Sequence, residues 1–391
     1  MPIFDQGYQH WNGPLASNAW RWLAITRHGI RSQFANRWLK FMLLGCWSPA
    51  LMLAGALALW GLLEQQSESV VPFLKQVLPG SLIDHPTTYR NAAWTLAFGI
   101  YFKVQLVLAL LLVLIVGPNL ISRDLRYNAF PLYFSRPIRR VDYFAGKLGV
   151  IAFFLALVAI APPLGAYVLG VCFSLDLAVI QDTYQLVGAS IIYGLVIIVS
   201  AGTLMLAMSS LSRRSVYVGI FWVGFWVVSN WTSSILVDMR QNRAVDEHVR
   251  EVMERWVAEN KPPPGVPMMN EWQPDLRGLR RVPRFGPEAR WIEAWRHARD
   301  QSVAHGFAES ARNDWRYLCS YSTNLDRVGD ALLGTDAAWQ RWGTITLRTE
   351  TIAARMTWHY PWSWSAAVLA ALVGLSLWIL TTRVKTLDRL K

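Results

Sequence analysis

Long runs of apolar residues, separated by shorter polar segments, dominate the chain. The six runs cover approximately Phe41–Leu63, Gly99–Ile121, Leu148–Ser174, Val187–Met208, Val216–Val237 and Trp362–Thr381. An α-helix rises about 1.5 Å per residue, so each run is long enough to cross roughly 30 Å of hydrocarbon. The pattern predicts an all-α polytopic membrane protein with six transmembrane helices.

An amphipathic pattern precedes the first run. In residues 18–38 the apolar side chains recur near helical spacing, at Trp20, Leu23, Ile30, Phe34 and Trp38. Arginines occupy much of the remaining surface. We expect an N-terminal interfacial amphipathic helix that lies in the membrane plane, or a basic helix that packs on another protein.

A polar insertion, residues 239–361, separates the fifth run from the sixth. It contains helical patterns at 245–260, 287–315 and 324–334, and the last of these ends at a glycine. The proline-rich segment 261–267 breaks the first of these helices because proline lacks a backbone donor. We expect a helical extracytoplasmic insertion between helices 5 and 6.

The distribution of charge sets the expected orientation. Basic residues concentrate in the N-terminal arm, in the loop 118–147, at Arg213–Arg214 and in the C-terminal tail. The positive-inside rule therefore places both termini in the cytoplasm of a multi-pass protein. We expect the cytoplasmic (inner) membrane of a bacterium.

These patterns divide the chain into four parts. Residues 1–40 form a cytoplasmic arm with the interfacial helix, and residues 41–238 hold transmembrane helices 1–5 with the cytoplasmic loop 118–147. Residues 239–361 form the extracytoplasmic helical insertion, and residues 362–391 hold helix 6 with a basic cytoplasmic tail.

Composition supports a membrane protein and argues against nucleic acid as a partner. Hydrophobic residues make up 53% of the chain and charged residues 16%, whereas soluble domains carry about 25% charged residues. The net charge is +12. Because the basic excess flanks the apolar runs, anionic lipid headgroups explain it, and we expect membrane lipids as partners and no nucleic acid.

Several kinds of active site are not predicted. The six runs contain no Asp, Glu or His, which argues against ion-coupled carriers and intramembrane proteases. The Gly146–Lys147 pair lacks the remainder of a P-loop, so this chain is not expected to be an enzyme or to bind a nucleotide cofactor. His248, His297 and His305 are scattered through the insertion, and solvent-facing or packed histidines explain them better than a metal site does.

Two features of the runs are candidates for a translocation path. Lys103 lies within the second run, where its long stem either reaches the outer headgroups or places its ammonium beside an anionic substrate. In the fifth run, Trp226, Asn230 and Thr232 either line a path or form hydrogen bonds between helices.

The sequence "DLRYNAFPLYFSRPIRRVDYFAGK" (124–147) resembles a known family. Its acid-Leu-Arg, Leu-Tyr-x-Ser-Arg-Pro, Asp-Tyr and Gly-Lys elements are similar to the loop after the second span in permeases of ATP-binding-cassette (ABC) transporters of the type-2, exporter-like family. The end of the chain, 324–334 and 360–387, resembles the same family. The similarity covers roughly 17–240 and 320–391 but not 241–320.

The resemblance implies a function and its partners. Segment 121–137 would be a coupling helix for a separate ATPase subunit, through Arg123, Asp124, Arg126, Phe130, Tyr133, Arg136 and Pro137. In that family the second and fifth spans of two permease subunits line the path, so Trp226, Asn230 and Thr232 would lie along it. Two copies of the ATPase, which would bind the ATP, and a second permease subunit would complete an exporter. A lipid, a peptide, a drug or a glycan precursor fits as substrate.

The alternative is a non-transporting membrane scaffold that presents residues 239–361 to envelope partners.

Overall fold

The computed structural model describes residues 20–68, 70–76, 80–129, 139–174, 176–275, 286–345, 352–353 and 356–388. Regular secondary structure in these ranges is helical, with a single isolated β-bridge between Met268 and Pro274. The α-helices described are α1 Arg21–Gln33, α2 Arg37–Cys46, α3 Ser48–Glu64, α4 Val71–Leu74, α5 Gly80–Asp84, α6 Pro86–Val116, α7 Asn119–Arg126, α8 Arg140–Leu155, α9 Ala161–Ser174, α10 Ala178–Leu211, α11 Ser215–Glu259, α12 Pro287–Ala311, α13 Tyr321–Leu333, α14 Thr335–Gly343 and α15 Trp362–Asp388.

Six helical segments are long and apolar enough to span a membrane, as the sequence predicts. In chain order we call them span 1 (α2–α3), span 2 (α6–α7), span 3 (α8–α9), span 4 (α10), span 5 (α11) and span 6 (α15). Spans 2 and 4 form the centre of the bundle, since 61% and 72% of their apolar windows are buried, against 17% for span 5. Span 2 starts earlier than its apolar run predicts, since α6 begins at Pro86 and the run begins at Gly99.

The N-terminal helix is shorter than the amphipathic pattern, which extends to Trp38. Helix α1 ends at Gln33, and Asn36 starts a new helix by accepting a hydrogen bond from the backbone N–H of Trp38 at 3.0 Å. An asparagine at this position satisfies a helix N-terminus. Trp38 therefore belongs to span 1 and not to the amphipathic helix.

Helix α1 packs closely on the start of span 3. The Thr26 hydroxyl donates to the carbonyl of Gly146 at 3.0 Å. A Cβ at Gly146 would lie 2.7 Å from the Cβ of Ile25, so a glycine is needed for this approach. The ring of Phe34, just beyond α1, lies 5.2 Å from that of Phe154. The amphipathic helix is thus docked on the chain's own bundle.

Span 3 contains a defect that a neighbouring side chain repairs. Pro162 has no N–H to offer the carbonyl of Val158, four residues earlier, and residues Ala156–Ile160 form a π-helical turn. Gln105 of span 2 is 1% exposed and donates to that carbonyl at 2.7 Å. The bend is therefore tied to the centre of the bundle.

Span 5 continues as one helix through the predicted boundary at residue 239. Helix α11 has 45 residues and is about 68 Å long at 1.5 Å per residue, more than twice the thickness of the hydrocarbon. The helix predicted at 245–260 is its far end. There Val249, Met253 and Val257 form a small separate core with Trp295 of α12.

Helix α13 packs among the spans, although its sequence lies within the region assigned to the insertion. Its residues Tyr321, Leu325, Val328 and Leu333 belong to the same hydrophobic core as the spans. A Cβ at Gly329 would lie 2.5 Å from the ring of Tyr193 in span 4, so α13 approaches that span closely. It ends, as predicted, at Gly334, whose φ of +77° favours glycine.

Candidate functional site

The first candidate site is the elbow, defined here as residues 117–129 at the end of span 2. The backbone N–H groups of Ile121 and Ser122 donate to the hydroxyl oxygen of Ser209 at 3.1 and 3.0 Å. That hydroxyl donates in turn to the carbonyl of Pro118 at 3.0 Å. One side chain of span 4 therefore fixes α7 by three hydrogen bonds.

Asp124 fastens the same elbow to span 3. Its carboxylate accepts from the Tyr143 hydroxyl at 2.7 Å and lies 2.7 Å from Nζ of Lys147. The side chains of Asp124 and Lys147 are only 15% and 12% exposed. Three positions of the motif that carries the family resemblance thus meet in space, and the carboxylate proposed for coupling faces the chain's own residues.

The arginines of the elbow are directed outward. Arg123 and Arg126 are both exposed, and the guanidinium of Arg126 lies 5.7 Å from the ring centre of Tyr127. Such stacking holds the side chain while leaving its N–H donors available. The remaining coupling candidates, Phe130, Tyr133, Arg136 and Pro137, lie outside the described residues.

The second candidate site surrounds Lys103, near the middle of span 2. Its Nζ lies 3.8 Å from Oδ2 of Asp330 on α13, and Lys103 is 40% exposed while Asp330 is 5% exposed. Nε1 of Trp358 donates to the same carboxylate oxygen at 2.6 Å. The acid that pairs with Lys103 therefore comes from outside the six apolar runs.

A second buried charge on α13 is paired too. Arg327 is 6% exposed, donates to the carbonyl of Tyr360 at 3.1 Å and lies 3.0 Å from the carboxylate of Asp336. Asp336 also accepts from the backbone N–H of Trp358 at 3.0 Å. Buried charges persist when they are paired and hydrogen-bonded, so α13 carries a connected polar network into the bundle.

A cavity of about 190 Å³ adjoins Lys103, the end of α12 and the residues that follow it. Tyr317, Trp358, Met356 and Phe307 line it. Burial raises the pKa of the Tyr317 phenol, so the group stays protonated at neutral pH. The cavity thus presents an ammonium and a phenol beside aromatic walls, which suits an anionic or amphipathic group.

The three path candidates of span 5 differ in their surroundings. Asn230 accepts from the hydroxyls of Ser320 and Ser322, both at 2.7 Å, and its amide donates to the carbonyl of Trp226 at 3.0 Å. Ser320 is the N-cap of α13. Trp226 is half-buried against the core, whereas Thr232 is exposed. Asn230 thus forms hydrogen bonds between span 5 and α13, which is the alternative to a role in the path. No described contact brings it together with Lys103.

An apolar groove lies between spans 1 and 2. Its volume is about 880 Å³, and Met52, Trp60, Trp94, Ile100 and Trp342 are among its walls. Its lining suits hydrocarbon, either an acyl chain or an apolar helix face.

At the opposite end of the bundle from the elbow, Arg90 clamps the spans together. It is 4% exposed and lies 2.7 Å from Glu64, 2.9 Å from Asp176 and 3.1 Å from Asp182. The N–H of Ala178 and the Arg90 guanidinium hold the pKa of Asp176 below its usual value. Because the partners come from spans 1 and 4 and from the turn between spans 3 and 4, this cluster stabilises the bundle.

Sequence reasoning missed the acids that α13 brings to the spans. Asp326 and Asp330 are four residues apart in an amphipathic helix, so they lie on one helix face. That four-residue spacing was the sequence signal that could have identified these acids.

The comparisons with known proteins leave the family open. No protein-family model, curated protein or solved structure matches this chain.

Proposed function

We propose that the chain is a permease subunit of an ABC transporter, coupled through the 121–137 loop to a separate ATPase and exporting a substrate. The observation that supports it most is the elbow. Its outward arginines stand on a short helix that Ser209 and the Asp124–Lys147 pair fasten to spans 3 and 4.

The elbow has the mechanical properties that coupling requires. A force applied to α7 reaches spans 2, 3 and 4 together, because α7 is the end of span 2 and polar contacts join it to spans 3 and 4. Packed interiors pass such displacements on with little deformation. Arg123 and Arg126 are suited to carboxylates of an ATPase surface, since guanidinium–carboxylate pairs are strong and directional.

In this proposal, spans 2 and 5 of two permease subunits line the path, and α13 contacts both of these spans within each subunit. Lys103 and its cavity then face an anionic or amphipathic substrate. The second subunit is either another copy or a sister permease, and two ATPase subunits complete the assembly. Both termini and the elbow lie on the cytoplasmic side of a bacterial inner membrane.

Purification from native membranes tests the proposal. The tagged chain, extracted in mild detergent, should retain a soluble protein that hydrolyses ATP. Arg126→Glu should release that protein, because the charge reversal repels its carboxylates. Arg243→Glu, at an exposed arginine on the far part of α11, is the matched control and should retain it. A wild-type preparation without any nucleotide-hydrolysing protein would contradict the proposal.

The second candidate function is a non-transporting scaffold. It is supported by the separate small core that α11 and α12 build around Met253 and Trp295 beyond the bundle. A scaffold would copurify with envelope proteins and without an ATPase, and Arg126→Glu would leave its partners unchanged.

A further inference from the structure

Two histidines and a glutamate meet on the part of α11 and α12 that lies beyond the bundle. His248 comes from α11, and His305 and Glu309 come from α12. Their ligand atoms all lie within 4.8 Å of one another. The two imidazole rings are stacked, with centroids 5.4 Å apart and an interplanar angle of 20°, and Nδ1 of His305 lies 3.9 Å from Glu309.

The packing of the two helices fixes this arrangement. Met253 and Val249 of α11 form a common core with Trp295 of α12, which sets the register of one helix against the other. His305 and Glu309 are four residues apart and therefore share a face of α12. A Cβ at residue 306 would lie 3.0 Å from Cδ2 of His248, so Gly306 makes room for that imidazole beside His305.

The donor set matches a particular class of cation. Imidazole nitrogen and carboxylate oxygen are ligands of Zn²⁺, at about 2.0–2.2 Å. Donors within 4.8 Å of one another reach a common ion by small side-chain rotations, and His305 and Glu309 are free to make them because they are 73% and 67% exposed. Three protein ligands leave a fourth tetrahedral position for water.

We propose that His248, His305 and Glu309 form a Zn²⁺ site that clamps α11 to α12. The ion is bound by two imidazoles and one carboxylate, with water as the fourth ligand. It joins helices whose ligands lie 57 and 61 residues apart in sequence, so it restrains the region beyond the bundle in the folded state. The site does not depend on the transport proposal.

The test uses the full chain in detergent, carrying an affinity tag without histidine and freed of metal by a chelator. Competition against a chromophoric chelator measures Zn²⁺ affinity and stoichiometry, and the visible spectrum of added Co²⁺ reports coordination geometry. The wild type should bind one Zn²⁺ per chain, and Co²⁺ should give the intense bands of a tetrahedral site. Zn²⁺ should also raise the midpoint of thermal unfolding.

Matched variants distinguish Zn²⁺ binding at the proposed site from adventitious binding elsewhere on the surface. His305→Ala and Glu309→Gln change exposed side chains, so they should fold normally while weakening Zn²⁺ binding at least tenfold and abolishing the Co²⁺ bands. His297→Ala, an exposed histidine of the same helix outside the cluster, should behave like the wild type. Equal Zn²⁺ affinity in all four proteins, or a Co²⁺ spectrum like that of the hydrated ion, would show adventitious binding and overturn the proposal.

Discussion

Lys103 of span 2 lies 3.8 Å from Asp330 of α13, within the bundle. The partner is supplied by a helix that is itself not a candidate span. Removing a polar group from water is costly unless it is paired. The polar centre of this bundle is therefore assembled by the segment between spans 5 and 6, and the apolar runs alone do not reveal it.

The Lys103–Asp330 pair should contribute to stability. Asp330→Asn should lower the free energy of unfolding by about 1–3 kcal/mol, since Lys103 and the Trp358 indole lose a charged partner. Thermal or denaturant unfolding in nanodiscs measures it, with the exposed Asp300→Asn as control. The double variant Lys103→Met/Asp330→Asn should cost less than the sum of the two single changes. Strict additivity would show that the pair has no interaction energy.

Gln105 and Pro162 should be coupled through the carbonyl of Val158. Gln105→Leu removes the nearer of two donors to that buried acceptor and leaves the Tyr101 hydroxyl at 3.5 Å, so it should cost about 1–3 kcal/mol of unfolding free energy. Pro162→Ala returns a backbone donor four residues beyond Val158, so the double variant should recover much of the loss. Unfolding measurements on the two single variants and the double variant test this. Failure of Pro162→Ala to rescue Gln105→Leu would disprove the explanation of the bend.

Substitutions at Asn230 and Thr232 should have different effects on stability, because the structure gives only Asn230 a role in holding α13. Asn230→Ala removes the acceptor of the Ser320 and Ser322 hydroxyls and should destabilise the protein by about 1–2 kcal/mol. Thr232→Ala, two residues away and exposed, should change stability by less than about 0.5 kcal/mol. Comparing unfolding midpoints decides it. Equal midpoints would assign Asn230 a role other than holding α13.

Lys147 should be needed for coupling more than for folding. Lys147→Met removes the charge that binds Asp124, so α7 loses its ionic link to span 3. In the proposed transporter, substrate-stimulated ATP hydrolysis should fall at least tenfold while expression is retained. Lys40→Met, at an exposed lysine in span 1, is the control. Normal stimulation in Lys147→Met would show that the Asp124–Lys147 link does not transmit force.

The sequence predicts the features that local patterns determine. Long apolar runs give the number of candidate spans, and the stop at Gly334 follows from the left-handed conformation that glycine permits. The continuation of α11 past residue 239 also had a signal, because no glycine or proline occurs between Gly224 and Lys261.

The remaining features depend on contacts between distant parts of the chain. The pattern of α13 fits any amphipathic helix, and its place among the spans follows from contacts such as the close approach of Gly329 to Tyr193. Likewise, no local spacing predicts that His248 meets His305, since the packing of α11 on α12 brings them together. The elbow's motif was recognisable, but the hydrogen bonds of Ser209 were not.

Crosslinking from the elbow tests the central claim most directly. A photoreactive amino acid at position 126, activated in native membranes, should join the chain to a soluble nucleotide-hydrolysing protein on the cytoplasmic side. The same residue at position 243 should give no such product. A product with an extracytoplasmic protein from position 126, or no ATPase product at all, would contradict the account.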